Sequence, residues 1–300
     1  MSEIVEPAVE PEVSDVDVRT GGHRAWRRFR RHKLAVVSSC ILAVLFVMVV
    51  FAPWIAPFHP HDINIESGIF KPPSAQHWLG TDSVARDILS RLIHGGRISI
   101  LVGVTAISIS LVIGTVIGGM SGYYGGVVDS VLMRITDVFL SLPTLIIVLA
   151  SVALLGPSIR NLILIIGFLG WATIARLVRG QFLSLREKEY VMAAHCIGAA
   201  DIRIMIRHLL PNLVGPLTVA ATFGVAEAIL LEAALSYLGL GVQVPTPSWG
   251  NMLEGAKTVS VLKNMPWIWI PPGFMIAITV LSINIMGDGL RDALDPRSTH

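Results

Sequence analysis

ISILVGVTAISISLVIGTVIGGMSGYYGGVV, from Ile98 to Val128, contains no Asp, Glu, Lys or Arg. An α-helix rises 1.5 Å per residue, so about 20 apolar residues cross the ~30 Å hydrocarbon core of a bilayer. This stretch exceeds that length, which makes lipid the solvent of the fold. Working outward from it, five further spans read as apolar: Leu34–Phe58, Val138–Ile159, Asn161–Ala175, Leu213–Leu235 and Asn264–Gly287. Asn161–Ala175 is short and is expected to continue past Arg176, whose stem can lie on apolar surface while its head reaches water. The whole composition agrees. Of 300 residues, 53% are hydrophobic and 15% charged, against about 25% charged in soluble domains. The expected fold is an all-α integral membrane protein with six transmembrane helices. The formal net charge of +2 gives no electrostatic footprint for nucleic acid.

The direction of the spans follows from the bias of Lys and Arg towards the cytoplasmic flanks. Arg24, Arg27, Arg28, Arg30, Arg31 and Lys33 precede the first span; Arg176, Arg179, Arg186, Lys188, Arg203 and Arg207 cluster between the fourth and fifth. Both termini are therefore expected in the cytoplasm. Residues 56–97 and 239–270 then form outer loops, and residues 177–212 a cytoplasmic loop. Residues 1–22 alternate acids with valine and proline, a composition too poor in apolar residues to fold, and read as a disordered cytoplasmic tail. Residues 23–300 remain as one six-span domain.

The loops carry most of the specific information. In the first outer loop, Ile88, Leu89, Leu92 and Ile93 share a helical face from which Arg86, Asp87 and Arg91 are absent. That pattern predicts a short amphipathic helix over 85–94, lying at the interface. His59, His61 and Asp62 have no fourth ligand nearby, so no metal site is expected. Pro245-Thr-Pro-Ser-Trp-Gly250 and Pro266-Trp-Ile-Trp269 in the second outer loop read as tight turns and an interfacial aromatic belt. The cytoplasmic loop spaces Tyr190, Val191, Ala194 and Ile197 ahead of Gly198, and Ile202, Met205, Ile206 and Leu209 after it. Two short amphipathic helices are expected, joined at Gly198 and closed by Pro211. Such a pair has no core of its own. Its apolar face must meet the membrane, the bundle or another protein.

Tyr190-Val-Met-Ala193-Ala194-His-Cys-Ile-Gly198 followed by Leu210-Pro211 resembles the "EAA" loop of binding-protein-dependent ABC importer permeases. Met192 stands where the acidic residue of that motif is usual. Leu79-Gly-Thr-Asp82, Arg86-Asp-Ile-Leu-Ser-Arg91, Ser121-Gly-Tyr-Tyr-Gly-Gly126 with Asp129, and Gly287-Asp-Gly-Leu-Arg-Asp292 are similar to the C-type subunit of the oligopeptide/dipeptide/nickel permeases. The resemblance spans about residues 24 to 298. It implies a type I ABC importer permease fold in a prokaryotic inner membrane. The implied partners are a second homologous permease, two ATP-binding ABC subunits and an extracytoplasmic substrate-binding protein, with peptide as the cargo. Nickel, glutathione or another small solute is the alternative.

The resemblance also implies that the cytoplasmic loop docks into the ATPase. Ala193, Ala194 and Gly198 would permit close approach, and Glu189, Arg186, Arg203 and Arg207 would orient it, ahead of Pro211. Gly118–Gly126 and the Gly198 turn are where the moving chain would bend. No Gly-Lys pair exists in the sequence, so a G-x-x-x-x-G-K-[ST] phosphate loop is excluded. The chain is expected to have no catalytic residues and no cofactor, and to leave ATP hydrolysis to its partners. A carboxylate inside a span normally faces a bundle interior or water. Glu227 is accordingly expected on the transport path or against the second permease, with Asn284 a weaker case. Five helical residues separate Glu227 from Glu232, placing them about 140° apart and outside one shared site. A secondary transporter or channel would account for six spans but not for the small-residue loop. An intramembrane protease would need a catalytic pair within the spans, and His23, His32, His94, His195 and His208 lie outside their cores.

Overall fold

A computed structural model describes residues 26–65 and 68–294; the acidic tail read over 1–22 lies outside them. Helices dominate, and no strand forms among the described residues beyond an isolated bridge between Thr81 and Asp87. In chain order the principal helices are α1 (Lys33–Val50), α2 (Ile88–Tyr124), α3 (Gly126–Ser141), α4 (Thr144–Leu155) and α5 (Ile159–Leu185). They continue with α6 (Glu189–Cys196), α7 (Val214–Tyr237), α8 (Trp249–Glu254) and α9 (Pro266–Leu294). Five stretches are long and apolar enough to cross a membrane, and α3 with α4 supplies a sixth if that bent pair counts as one span. Large apolar side chains such as Val44, Val112 and Leu154 point outward, as expected where lipid or another membrane subunit surrounds a bundle.

Three expectations change. The stretch over 85–94 is not a separate interfacial helix. It is the first turns of α2, a 37-residue helix capped by Asp87, whose side chain accepts from Ser90 N. Ile88, Leu92 and Ile93 are buried within the bundle and not laid on an interface, and Arg91, read as lying off the apolar face, is buried too at 3% exposure. Arg91 Nε sits 3.5 Å from Asp82, which also pairs with Arg86 at 2.8 Å. Secondly, Val138–Ile159 is not one straight span. The chain turns 85° between α3 and α4 at Leu142-Pro143, where proline offers no N–H to continue the ladder and holds Leu142 extended. Thirdly, Pro211 does not close the loop's second helix. The helical run passes through it into α7 by way of a π-helical turn at Met205–Leu209 and a 3-10 turn at Leu210–Leu213. A change of hydrogen-bonding register is one way a helix absorbs the missing donor.

Glycines let the central helices touch. A Cβ on Gly118 would lie 2.3 Å from the Ala175 carbonyl oxygen, and one on Gly122 2.6 Å from Phe182 Cβ. Ser110 Oγ donates to the Gly167 carbonyl at 2.7 Å across the same seam. The expected bending region therefore divides. Gly118, Gly119 and Gly122 lie within unbroken α2 and serve packing, whereas the chain breaks at Gly125 and Gly126, both with positive φ. Small residues at a helix–helix seam are the usual means of association where lipid removes the hydrophobic drive.

The bundle has two dissimilar ends. At one lies the loop of α6 and residues 197–213, the loop end. The start of α1 and the end of α9 are there too: a Gly289 Cβ would meet Ala35 Cβ, and Leu294 borders Gly215. At the far end, Trp249 of α8 is fully buried. Its indole donates to the Leu92 carbonyl at 2.9 Å. The expected interfacial belt is corrected at this residue: Trp249 is a core side chain. Beside it Glu232 is equally enclosed, accepting from Ser99 Oγ at 2.8 Å and Ser236 Oγ at 2.7 Å. Trp267 and Trp269 remain half-buried. Between α1 and α2, His61 is held below the usual imidazole range, by burial first and then by the neighbouring His59 and Arg91.

Candidate functional site

The loop end begins with α6, whose acidic Glu189 sits in the first turn, where a negative charge complements the helix dipole. The helix ends at Ile197, and Gly198 adopts φ +76°. Gly198 N donates to the His195 carbonyl at 3.0 Å, and Ala199 N to the Ala194 carbonyl at 3.1 Å. Those two bonds form a Schellman turn, which needs a left-handed residue at this position. A Cβ on Gly198 would meet nothing within 4 Å. Glycine is therefore required here by φ and not by internal crowding, and its face is open.

The loop's two sides have opposite tasks. Val191, Ala194, Ile204, Leu209 and Leu213 are buried, packed with Val178 and Phe182 of α5. Ala194, read together with Ala193 as docking surface, is turned inward at 6% exposure. Ala193 is exposed. Met192, Ile197, Ile202 and Ile206 are exposed too, Ile197 by 85%. Glu189, Arg203, Arg207 and Pro211 lie on the exposed side, and none of the three charged groups forms a salt bridge among the described residues. Arg186 is already engaged, donating to the Gly122 and Tyr123 carbonyls at 3.2 and 3.4 Å. It therefore caps α2 and does not belong with the free rim charges.

At the loop end, the end of α2, the start of α3 and the end of α5 are clasped together. Arg179 forms a two-pronged pair with Asp129, at 2.5 Å from Nε and 2.6 Å from Nη2. Ser121 Oγ donates to the same carboxylate. Tyr123 Oη donates to Asp201 Oδ1 at 2.8 Å and lies 3.1 Å from His195 Nε2. The sequence motif around Ser121–Gly126 was visible, but spacing alone gives no indication that Asp129 would meet an arginine 50 residues away.

Deeper in the membrane, a cavity of about 260 Å³ opens between α2, the α3–α4 bend, α5 and α7. Ser110, Thr144, Thr173 and Phe223 contribute to its wall, and Glu227 is the charged residue among its lining. Glu227 is exposed on α7, while Glu232 on the same helix is enclosed; the two carboxylates occupy separate environments, as their spacing predicts. Asn284 is half-buried on α9 and does not line this cavity.

Residues 114–300 match the family model described as the binding-protein-dependent transport system inner membrane component. The chain belongs to that family. Residues 21–73 match a second model, the N-terminal TM domain of oligopeptide transport permease C. The chain is 39% identical over 292 residues to the dipeptide transport system permease protein DppC of Alkalihalophilus pseudofirmus, covering 97% of this chain and 95% of that one. It is 42% identical over 291 residues to the glutathione transport system permease protein GsiD of Escherichia coli, covering 97% and 94%. The protein is thus the membrane-spanning permease component of an ABC importer, with the type I permease fold, in the bacterial inner membrane.

Proposed function

We propose that this permease imports short peptides, forming the path with a second homologous permease. Two ATP-binding subunits dock on the loop of α6 and residues 197–213, and a substrate-binding protein delivers cargo at the far end. In this reading both termini and the loop are cytoplasmic. The observation that carries it is the loop itself: a glycine-turned helical pair whose inner side is packed while Ala193, Gly198, Ile197 and Ile202 stand open. Exposed apolar side chains at a polar membrane surface need a protein partner to cover them. Glu189, Arg203 and Arg207 rim that patch and orient the partner through ion pairs. The path includes the cavity, where Glu227 offers a carboxylate to cargo or to the second permease. Peptide is favoured over a metal ion because the relatives are named for a dipeptide and for glutathione, itself a small peptide.

The decisive experiment replaces Gly198 by Ile. A β-branched residue is strained at φ +76°, and its bulk blocks close approach. ATPase subunits should no longer co-purify, or cargo-stimulated hydrolysis should be lost, while membrane insertion is retained. Met192→Ala should be mild by comparison. Full coupled activity in Gly198→Ile would remove the loop from the mechanism.

A further inference from the structure

The loop's two limbs lead into different helices, although the buried sides of both pack on α5. The α6 limb continues from α5 through a turn at 186–188, and α5 is locked to α2 by the glycine seam at Gly118 and Gly122. The limb after Gly198 runs without a break into α7. Between the limbs lies an exposed turn in the left-handed region, held by two backbone bonds. A push applied to such a loop could hinge at Gly198 and be dissipated there.

One hydroxyl spans that hinge. Tyr123 Oη, on the last turn of α2, bonds Asp201 after the turn and His195 before it, at 2.8 and 3.1 Å. Its ring stacks on the His195 imidazole, with 8° between planes. His195 Nε2 and Asp201 Oδ1 are themselves 3.9 Å apart, within ion-pair range but beyond hydrogen-bond distance, which the phenol spans. A cavity of about 500 Å³ bordered by Tyr123, Arg186, Met192 and Asp201 opens beside this contact. The buried sides of both limbs pack on α5; on this exposed rim the Tyr123 contact is what joins them to α2 by hydrogen bonds. His195 and Asp201 are 58% and 45% exposed at their side chains. Water can satisfy both if the phenol is lost, so the contact adds little to folding stability.

We propose that Tyr123 is the positioning residue that latches the two limbs of the loop to α2. Through it, movement imposed on the loop by the ATPase reaches the helix that extends to the far end of the bundle. The inference rests on the docking reading above and adds the point at which the motion is passed on. The second limb is continuous with α7 and packs on α5; its hydrogen bond to α2 is the one from Tyr123 to Asp201. With Tyr123 bonded to both, the limbs move as one body.

The test uses the assembled importer with Cys40 and Cys196 replaced by Ser and a cavity probe, Thr173→Cys. ATP hydrolysis and the ATP-dependent change in the thiol-labelling rate are read on the same preparation. Tyr123→Phe keeps the ring and removes the hydroxyl. It should hydrolyse ATP near the parent's rate, while the ATP-dependent labelling change falls about fivefold or more, the factor set by one or two lost hydrogen bonds. Asp201→Ala should behave likewise, Asp201→Asn should retain most of the response because it keeps an acceptor oxygen, and the Tyr123→Phe/Asp201→Ala pair should be no worse than either alone. A parent-like labelling response in Tyr123→Phe overturns the latch. So does loss of hydrolysis and response together, since Tyr123 would then only hold the loop for docking. Gly198→Ile, run in parallel, separates the two claims. A parent-like response there removes the docking reading and the latch with it; a lost response there beside an intact one in Tyr123→Phe removes the latch alone.

Discussion

Glu227 and Glu232 sit on one helix, and substituting each should produce opposite phenotypes. Glu232 is fully enclosed and accepts two hydroxyl bonds, from Ser99 on α2 and Ser236 on α7. Those serines are themselves engaged: Trp249 N donates to Ser99 Oγ at 3.3 Å, and Val242 N to Ser236 Oγ at 3.0 Å. Glu232→Ala removes both acceptors, at about 1 kcal/mol each. It also leaves a void where a buried side chain was packed, adding at least about 2 kcal/mol. A loss of about 4 kcal/mol follows. Glu232→Gln keeps the volume and one acceptor oxygen and should cost about 1 kcal/mol. Glu227 is exposed to the cavity and has no hydrogen bond or salt bridge among the described residues, so Glu227→Ala should change stability by no more than about 0.5 kcal/mol. The assay is thermal unfolding of the purified protein in detergent at one fixed scan rate, because such unfolding is commonly irreversible. Glu232→Ala should fall by several degrees, Glu232→Gln should stay close to the parent, and Glu227→Ala should be unchanged in midpoint yet impaired in transport. An unchanged midpoint for Glu232→Ala would refute the structural role, and so would equal losses in the Ala and Gln variants.

Single cysteines at 70 or 247 should react with an impermeant thiol reagent added to intact cells, and one at 187 should not; the reverse pattern overturns the proposed orientation. Gly118→Leu should abolish accumulation of folded protein, because a Cβ there already meets the Ala175 carbonyl at 2.3 Å. Gly180→Leu on the neighbouring helix should be tolerated, since a Cβ there meets nothing within 4 Å, and membrane-fraction yield compares the two. Arg179→Lys should fail to restore what Arg179→Ala loses in transport, because an ammonium cannot reproduce the two-pronged contact with Asp129.

Hydropathy made the spans legible because membrane insertion demands long apolar stretches, and that demand is local in sequence. Gly198 was legible for the same reason: a Schellman turn is decided within six residues. The bend at Leu142-Pro143 was visible in principle, since a proline inside an apolar run is a boundary signal, but length and hydropathy overrode it. Other features were not local. Arg91 looks like a surface charge until Asp82 and the Pro60 carbonyl are brought beside it. Trp249 looks like an interfacial anchor until Leu92 and Ser99 close over it. Ala194 differs from Ala193 only in which side of α6 meets α5, and the small-residue motif treats them alike.

Besides the seam with α5, α2 makes side-chain contacts at both of its ends. At its first turns, Leu92 and Ser99 hold Trp249 and, through Ser99, Glu232; at its last turn, Ser121 and Tyr123 hold Asp129, His195 and Asp201. A helix of 37 residues is about 55 Å long, so one rigid element joins the far end of the bundle to the loop. The two attachments differ in kind. At the far end the partners are enclosed, and breaking them strands buried polar groups, which is expensive in stability. At the loop end the partners are half-exposed, and water replaces what is lost. Lesions at the far end should therefore deplete folded protein. Lesions at the loop end should leave folded protein that hydrolyses ATP without moving the cavity. A latch that passes on movement without supporting the fold fits that asymmetry. The burial of Glu232 against the exposure of Asp201 is where the molecule expresses it.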